Sequence, residues 1–257
     1  MQQYHAVIMA GGKSPWLEPL AGTSYRIMAR LGDKRILDRL VGALKASGRI
    51  DRIVLVAPAA AVQGQILPEG LEVTEPGQSL PDTAWAGAKQ LQDGDKLLFV
   101  TDDIPFLTGE AVAHFLSRCE EEPKMQLQYP LIPEAVCEQA YPGASRTYVH
   151  FREGAFTGGN LTLCDRKIIP QGQAVAHKIF SLRKQPLKMA RWVGPGFILR
   201  FIFRLVDLPE ANRRASGMTE FRCRAISVSY AEIGMDLDKA EDWQEMIKWS
   251  GQKDLNG

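Results

Sequence analysis

The fold is decided by the stretch Tyr4-His5-Ala6-Val7-Ile8-Met9-Ala10-Gly11-Gly12-Lys13-Ser14, near the start of the 257-residue chain. Its first six residues form a short apolar run that favours a β-strand, and the glycine pair ends that run. Ile36 to Ala46 then carries apolar residues at helical spacing. A strand, a glycine loop and a helix in this order predict the opening unit of an α/β sheet.

Strands and helices go on alternating as far as residue 120. Arg52 to Ala57 is a continuous Ile/Val/Leu run, the kind of strand that is buried on both faces of a parallel sheet. Ser79 or Asp82 can cap a helix that runs through Leu91, and another buried strand, Lys96 to Thr101, follows. Thr108 can cap the next helix, which extends to Arg118.

The alternation weakens beyond residue 120, so a mixed sheet is expected there. The predicted strands are Met125 to Leu131, Tyr148 to Phe151, Leu161 to Cys164 and Ala225 to Ile233. Residues 174–217 have a helical pattern with a break at Gly194-Pro195-Gly196, and Lys239 to Trp249 predicts a final amphipathic helix. We therefore expect one domain over residues 1–257, a three-layer α/β/α fold with a mostly parallel sheet, and a helical insertion at residues 174–217.

Composition limits the classes of partner and compartment. The chain has 31 Lys and Arg against 30 Asp and Glu, a formal charge of +1, so no global field favours nucleic acid. No apolar stretch reaches the roughly 18 residues that span a bilayer. The four cysteines form no CxxC pair, which predicts free thiols and a cytoplasmic location. The first apolar run lacks a basic n-region and is interpreted as a strand, not a signal peptide.

Three motifs follow predicted strands, and ligands bind at the carboxyl ends of such strands. The loop Ala10 to Ser14 can cradle phosphate with backbone amides, with Lys13 supplying charge. Asp102-Asp103 and Asp236-Leu237-Asp238 offer carboxylates, the ligands that Mg²⁺ prefers. A plain turn or helix capping is the alternative for each motif. The histidines are scattered, and none is assigned to a metal.

Together these motifs resemble the nucleotidyltransferases related to molybdenum-cofactor guanylyltransferase, the MobA-like NTP transferases, whose sheet is of the GT-A type. The resemblance spans nearly the whole chain. It rests on four ordered stretches: Ala10-Gly11-Gly12-Lys13-Ser14 leading to Arg26 and Leu37, Thr101-Asp102-Asp103-Ile104-Pro105, Phe156-Thr157-Gly158-Gly159-Asn160, and Asp236-Leu237-Asp238-Lys239-Ala240-Glu241-Asp242-Trp243. The chain departs from the family pattern at Pro15 and Trp16, where an Arg is usual, and at Ala240, where a Pro is usual.

The resemblance implies transfer of an NMP from an NTP to a phosphorylated acceptor, with release of pyrophosphate and dependence on Mg²⁺ or Mn²⁺. It implies metal ligation by Asp103 and Asp236, both expected to face solvent, with Asp238 in reserve. Lys13 and Arg26 would stabilise the pyrophosphate leaving group. The implied nucleotide contacts are Ala10, Gly11, Gly12, Lys13, Ser14, Gly77, Ser79 and Asp102. Gly158, Gly159 and Asn160 would border the acceptor pocket.

Two other functions stay open at the level of sequence. A GT-A glycosyltransferase also holds a nucleotide sugar through strand-end carboxylates, and a non-catalytic nucleotide-binding module would fit the departures from the family pattern. The basic run Arg183 to Trp192 could be an acceptor-phosphate patch, a membrane-surface helix or a solvated face, and the solvated face is favoured. The apolar run Phe197 to Leu208 could lie along a membrane interface, and an intramolecular core or a homodimer contact is favoured there. Peripheral membrane contact through residues 183–208 is therefore the less favoured alternative.

Overall fold

A computed structural model describes residues 2–92, 94–182 and 185–254 of the chain. Nine strands form one sheet, and β2 and β3 form a separate small hairpin. The strands are β1 (Tyr4–Met9), β2 (Arg30–Leu31), β3 (Lys34–Arg35), β4 (Ile50–Val56), β5 (Leu71–Thr74), β6 (Lys96–Thr101), β7 (Leu127–Pro133), β8 (Val149–Phe151), β9 (Gly154–Gly158), β10 (Leu161–Asp165) and β11 (Cys223–Ser227). The helices are α1 (Glu18–Ala21), α2 (Ile36–Ala46), α3 (Ala59–Val62), α4 (Leu80–Gln90), α5 (Gly109–Glu120), α6 (Glu134–Ala140), α7 (Ile169–Leu182), α8 (Pro186–Val193), α9 (Pro195–Ile202), α10 (Leu208–Thr219) and α11 (Ala240–Asp254).

The sheet is mixed and mostly parallel, as the sequence predicts. Its strand order is β5-β4-β1-β6-β10-β7-β9-β8, and β11 pairs with β7. The strands β5, β4, β1 and β6 run parallel, whereas β10 is antiparallel to both β6 and β7. The carboxyl ends of β1 and β6 therefore lie side by side, which brings the glycine loop next to the Asp102-Asp103 pair.

Helices cover both faces of the sheet, and the strands are apolar because both of their faces are buried. Ala6 and Ile8 of β1 belong to the larger hydrophobic core, under α2 and α5, while Val7 points to the opposite core, under α4. Gly87 lets α4 approach β1 closely, because a Cβ atom there would lie 2.3 Å from a methyl group of Val7. This is the predicted three-layer α/β/α arrangement.

Two helix caps follow the sequence expectation. The Ser79 hydroxyl accepts a hydrogen bond from the Asp82 amide at the start of α4, and the Thr108 hydroxyl accepts one from the Ala111 amide at the start of α5. Each cap satisfies an amide that the first turn of a helix leaves without a partner.

The predicted strand from Ala225 to Ile233 is wrong in its second half. The strand β11 ends at Ser227, and Ala231–Ile233 forms a 3₁₀ turn. Val228 and Ile233 are both buried, so an apolar pattern of this kind does not distinguish a strand from a buried turn. The turn redirects the chain toward Asp236, and the Leu237 amide donates to the carbonyl of Asp103 at 2.8 Å.

The helical segment is longer than predicted and consists of four helices. It begins at Ile169 and ends at Thr219, and Gly194 separates α8 from α9. Arg183 and Lys184, the first residues of the predicted basic run, lie outside the described residues. No helix within the described ranges is long and apolar enough to cross a bilayer.

Candidate active site

Three carboxylates gather at the carboxyl end of β6. Asp103 comes from the loop after β6, and Asp236 and Asp238 come from the segment after the 3₁₀ turn. Each can offer one oxygen atom such that the three oxygens lie within 4.8 Å of one another. The backbone bond from Leu237 to the Asp103 carbonyl holds the two segments together. Hard divalent cations bind oxygen ligands, so this donor set fits Mg²⁺ or Mn²⁺.

Asp103 is far less accessible than the sequence suggests. Its residue is only 9% exposed, which corrects the expectation of a solvent-facing ligand. Burial, together with the charge of Asp102, raises its pKa to about 7, and the Thr101 hydroxyl donates to its Oδ1 at 2.5 Å. The carboxyl group therefore titrates near neutral pH, and a cation must compete with a proton for it.

Arg26 and Asp102 form a buried ion pair beside the cluster. Asp102 is 2% exposed, and its Oδ1 accepts from Arg26 Nη2 at 2.8 Å and from Nε at 3.2 Å. Arg26 Nη1 also donates to the Ser14 hydroxyl at 3.3 Å, and Nη2 lies 4.0 Å from Asp103 Oδ2. The guanidinium is thus paired with Asp102 and lies next to Asp103.

The glycine loop lies against the start of α4. A Cβ atom on Gly11 would approach Pro76 Cβ to 2.7 Å, and one on Gly77 would approach Asp82 Cβ to 2.2 Å. Gly11 thus lets the two predicted nucleotide loops come into contact, and Gly77 lets the second loop pack against the start of α4. Gly12 is exposed, with open space where a Cβ would project, and Lys13 lies above the ring of Tyr25 at 5.3 Å. Ser79 is used as the cap of α4.

The predicted acceptor motif, residues 158–160, packs against the chain that leads to Asp236. A Cβ atom on Gly159 would lie 2.6 Å from Ile233 Cγ2 and 2.8 Å from Pro130 Cγ. The Asn160 amide donates to the Ile233 carbonyl at 2.8 Å, and its own carbonyl accepts from Thr101. Gly158 lies beneath Tyr129, because a Cβ there would be 2.4 Å from the phenol oxygen. Residues 158–160 therefore border the cluster and connect both of its segments.

Two residues of this site carry no motif signal in the sequence. The Arg146 guanidinium, from the loop before β8, forms an ion pair with Asp236. Burial, followed by the charges of Asp236 and Asp103, raises the pKa of Tyr129, so its phenol stays protonated and can donate a hydrogen bond. The carboxylates of residues 102, 103, 236 and 238 outnumber the guanidiniums of Arg26 and Arg146, which leaves negative charge for a divalent cation to offset.

A separate cavity of about 380 Å³ lies between α4 and α7, on the face of the sheet that α4 covers. Its walls are almost entirely apolar and include Trp85, Phe99 and Phe180. The Asp82 carboxylate accepts from Gln173 and pairs with His177, both at 2.8 Å, which fixes α7 onto α4 beside this cavity. None of the clustered carboxylates lines it, so it is distinct from the acidic site.

Comparison with known proteins identifies the class. The MobA-like NTP transferase domain matches residues 6–142, and the chain belongs to this family of nucleotidyltransferases. It is similar to a hypothetical transferase from Thermus thermophilus, with 31% identity over 94% of this chain and 100% of that one, and a TM-score of 0.81. No curated protein is significantly similar in sequence.

Two further structures share the fold at lower identity. One is a 2-C-methyl-D-erythritol 4-phosphate cytidylyltransferase from Thermus thermophilus, with 10% identity, a TM-score of 0.58, and 97% and 100% of the two chains covered. The other is a CMP:2-keto-3-deoxy-manno-octonic acid synthetase complexed with CTP, with 10% identity, a TM-score of 0.60, and 98% and 100% covered. At this identity the likeness shows the GT-A-like fold.

Proposed function

We propose that this protein transfers an NMP from an NTP to a small phosphorylated acceptor, with Mg²⁺ or Mn²⁺ held by Asp103, Asp236 and Asp238. The observation that carries the proposal is the approach of these three carboxylates to within 4.8 Å at the strand end that adjoins the glycine loop. Family membership supplies the reaction class, and two proteins of the same fold are a cytidylyltransferase and a synthetase complexed with CTP.

The reaction places an oxygen of the acceptor phosphate on the α-phosphorus of the NTP. The bond between that phosphorus and the α–β bridging oxygen breaks, and pyrophosphate leaves with the electron pair. A divalent cation supplies charge neutralisation at the phosphates when bound. The acceptor phosphate is already an anion at neutral pH, so the protein needs to position the reactants and stabilise charge, without a nucleophilic side chain.

The loop residues 10–14, together with Gly77 and Ser79, are assigned to the nucleotide. Gly11 lets the first loop pack against Pro76 of the second, and the exposed Lys13 is free to turn from Tyr25 toward a pyrophosphate. Arg26 acts indirectly, because it neutralises Asp102 and orients it next to Asp103.

Residues 158–160 and Arg146 are assigned to the acceptor side. Arg146 reaches the cluster from the opposite side to the glycine loop and contacts Asp236. A cation on Asp236 would leave the Arg146 guanidinium available to an acceptor phosphate, which guanidinium groups bind in a bidentate manner.

Thermal unfolding with each of the four NTPs, with and without Mg²⁺, tests the assignment. A ligand at a hundredfold excess over its Kd raises the free energy of unfolding by about 2.7 kcal/mol, so the correct NTP with Mg²⁺ should give a clear shift. Nucleotide sugars form the comparison arm. A shift with nucleotide sugars alone would indicate glycosyl transfer, and no shift with any nucleotide would contradict the proposal.

The variant Asp236→Asn tests the metal assignment. It should lower Mg²⁺ affinity and the rate of pyrophosphate release by at least about a hundredfold. Mutating a residue that only hydrogen-bonds to a metal ligand already lowers metal affinity or activity about 10–100-fold. Glu110→Gln is the matched control, since Glu110 is an exposed carboxylate on α5 outside the cluster. Equal pyrophosphate release by the two variants would rule out Asp236 as a ligand.

A further inference from the structure

The C-terminal end of α9 exposes apolar side chains that the fold does not use. Ile202 and Phe203 are 67% and 66% exposed, and Leu199 and Leu205 are more than half exposed. Leu199 lies three residues before Ile202 and four before Phe203, so these three side chains share one face of the helix. We name Leu199, Ile202, Phe203 and Leu205 the α9 tip.

The opposite face of α9 fixes the direction in which the tip points. Phe197 and Phe201 stack with centroids 6.4 Å apart, and Phe201 contacts Phe151 of β8 edge to face at 5.5 Å. Because these aromatic rings anchor the helix to the sheet, the α9 tip must project away from it. The amphipathic character expected of this segment is therefore present, with the apolar tip directed outward.

The chain around the tip is strongly basic. Residues 166–206 contain no Asp or Glu, and they contain nine Lys and Arg: Arg166, Lys167, Lys178, Arg183, Lys184, Lys188, Arg191, Arg200 and Arg204. Among the acidic groups beside this region, Glu210 pairs with Arg200 and Asp207 with Arg152, and Glu153 accepts a hydrogen bond from the Leu208 amide. A partner for the tip must therefore combine an apolar phase with negative charge.

Arg204 is the exposed cation at the end of α9, within the α9 tip. Its φ of 58° lies in the left-handed region, where glycine would be favoured. Its amide donates to the Phe201 carbonyl, and the Leu205 amide donates to the Arg200 carbonyl, which is the hydrogen-bond pattern of a Schellman helix end. A cation is thus held within the apolar tip by a helix end, in a conformation that Glu220 also adopts at the end of α10.

We propose that the α9 tip and the basic residues around it bind the surface of an anionic phospholipid bilayer. The tip residues would enter the boundary between headgroups and acyl chains, and Arg204, Lys188 and Arg191 would contact lipid phosphates. Leu187 of α8, which is 86% exposed, adds a further apolar group to the same basic segment. The inference is independent of the transfer reaction, since no residue of the acidic cluster takes part.

Cosedimentation of the full-length protein with vesicles tests the proposal, without nucleotide or metal. Vesicles of phosphatidylcholine with about one third phosphatidylglycerol should bind the protein, and pure phosphatidylcholine vesicles should bind it much less. Raising the salt from about 0.1 M should weaken binding, since screening shortens the reach of surface charge. No binding to the anionic vesicles would overturn the proposal.

The double variant Ile202→Ser/Phe203→Ser removes two exposed side chains and should weaken vesicle binding roughly tenfold or more, because each loses apolar burial in the lipid. Ile66→Ser is the matched control. Ile66 is 87% exposed and precedes β5, at the sheet edge opposite β8. Equal binding by the double variant and the control would contradict the proposal. If wild type instead forms a dimer that the double variant dissolves, while no vesicles bind, the tip is a self-association surface.

Arg204→Gly separates a binding role from a structural one. Glycine adopts the left-handed conformation without strain, so this variant should unfold at a higher temperature than wild type while binding anionic vesicles more weakly. Unchanged vesicle binding by Arg204→Gly would remove the arginine from the proposed surface.

Discussion

Asp103 lies at the proposed metal site and is nearly buried. Folding therefore changes the pKa of its carboxyl group. Because burial raises its pKa to about 7 from an ordinary value near 4, the folded state holds a proton that the unfolded chain releases at lower pH. The contribution of Asp103 to the free energy of unfolding is therefore greatest below the unfolded pKa, and it is lost as the pH rises from about 4 to about 7.

Asp103→Asn should accordingly have opposite effects on activity and stability. The amide cannot bind a divalent cation as strongly as a carboxylate, so pyrophosphate release should fall at least about a hundredfold. The melting temperature should rise at pH 8, by about 2–4 °C for each kcal/mol gained, and change little at pH 5, where wild type is also neutral. Melting curves at the two pH values measure this, and a loss of stability at pH 8 would show that the buried charge is well compensated.

We propose that Arg26 supports the site through its ion pair with the buried Asp102. Arg26→Ala should lower the free energy of unfolding by about 3–5 kcal/mol, because Asp102 would stay buried without its counter-charge. Asp102→Asn should restore part of that loss in the double variant. Chemical denaturation of the four proteins gives the coupling energy, and purely additive effects would contradict the assigned ion pair.

At the scale of elements, the position of the acidic segment depends on how closely two loops approach each other. Gly159 lies directly under Ile233 and Pro130, so Gly159→Ala should displace the chain that carries Asp236. We expect weaker Mg²⁺ binding and lower stability. Gly42→Ala in α2 is the control, because a Cβ atom there meets open space and alanine favours a helix by about 0.5–1 kcal/mol. Mg²⁺ titration followed by melting temperature distinguishes the two, and unchanged Mg²⁺ affinity in Gly159→Ala would contradict this support role.

The elements that sequence predicts well are those with local causes. The strand Lys96 to Thr101 is an apolar run with a polar stop, and it forms β6 with the same bounds. The cap of α4 by Ser79 and that of α5 by Thr108 need only residues three positions apart. The sequence places Asp103 at a strand end, and the family resemblance joins it to Asp236, although Asp236 follows a 3₁₀ turn and not the strand that the sequence predicts before it.

The features that sequence does not predict depend on distant partners. Arg26 and Asp102 are 76 residues apart, and Arg146 and Asp236 are 90 apart, so no spacing rule connects them. The edge strand β5 has only four residues, Leu-Glu-Val-Thr, with none fully buried, so it lacks the long apolar run that marks β1, β4 and β6. The burial of Asp103 arises from the packing of the whole strand end and not from its neighbours in the chain.

On the scale of the whole molecule, the formal charge is only +1, but the basic and acidic residues are distributed very unevenly along the chain. Residues 166–206 hold nine of the 31 basic residues and no acidic one, which leaves 22 basic against 30 acidic residues elsewhere, a formal charge of −8. Opposite charges on different parts of one surface do not cancel for a partner at close range, because the Debye length is about 8–10 Å at ordinary salt. The protein should therefore bind an anionic surface through its basic segment although its net charge is near zero.

Cation-exchange chromatography at pH 8.5, above the isoelectric point of about 7.7, tests this segregation. A uniformly charged protein would pass through a sulfonate resin, whereas we expect retention through the basic segment. Lys188→Glu/Arg191→Glu on α8 should elute at clearly lower salt than Lys34→Glu/Lys248→Glu, although all four positions are exposed and both variants change the net charge equally. Elution of the two variants at the same salt would show that net charge alone governs adsorption, and that the basic segment does not act as a unit.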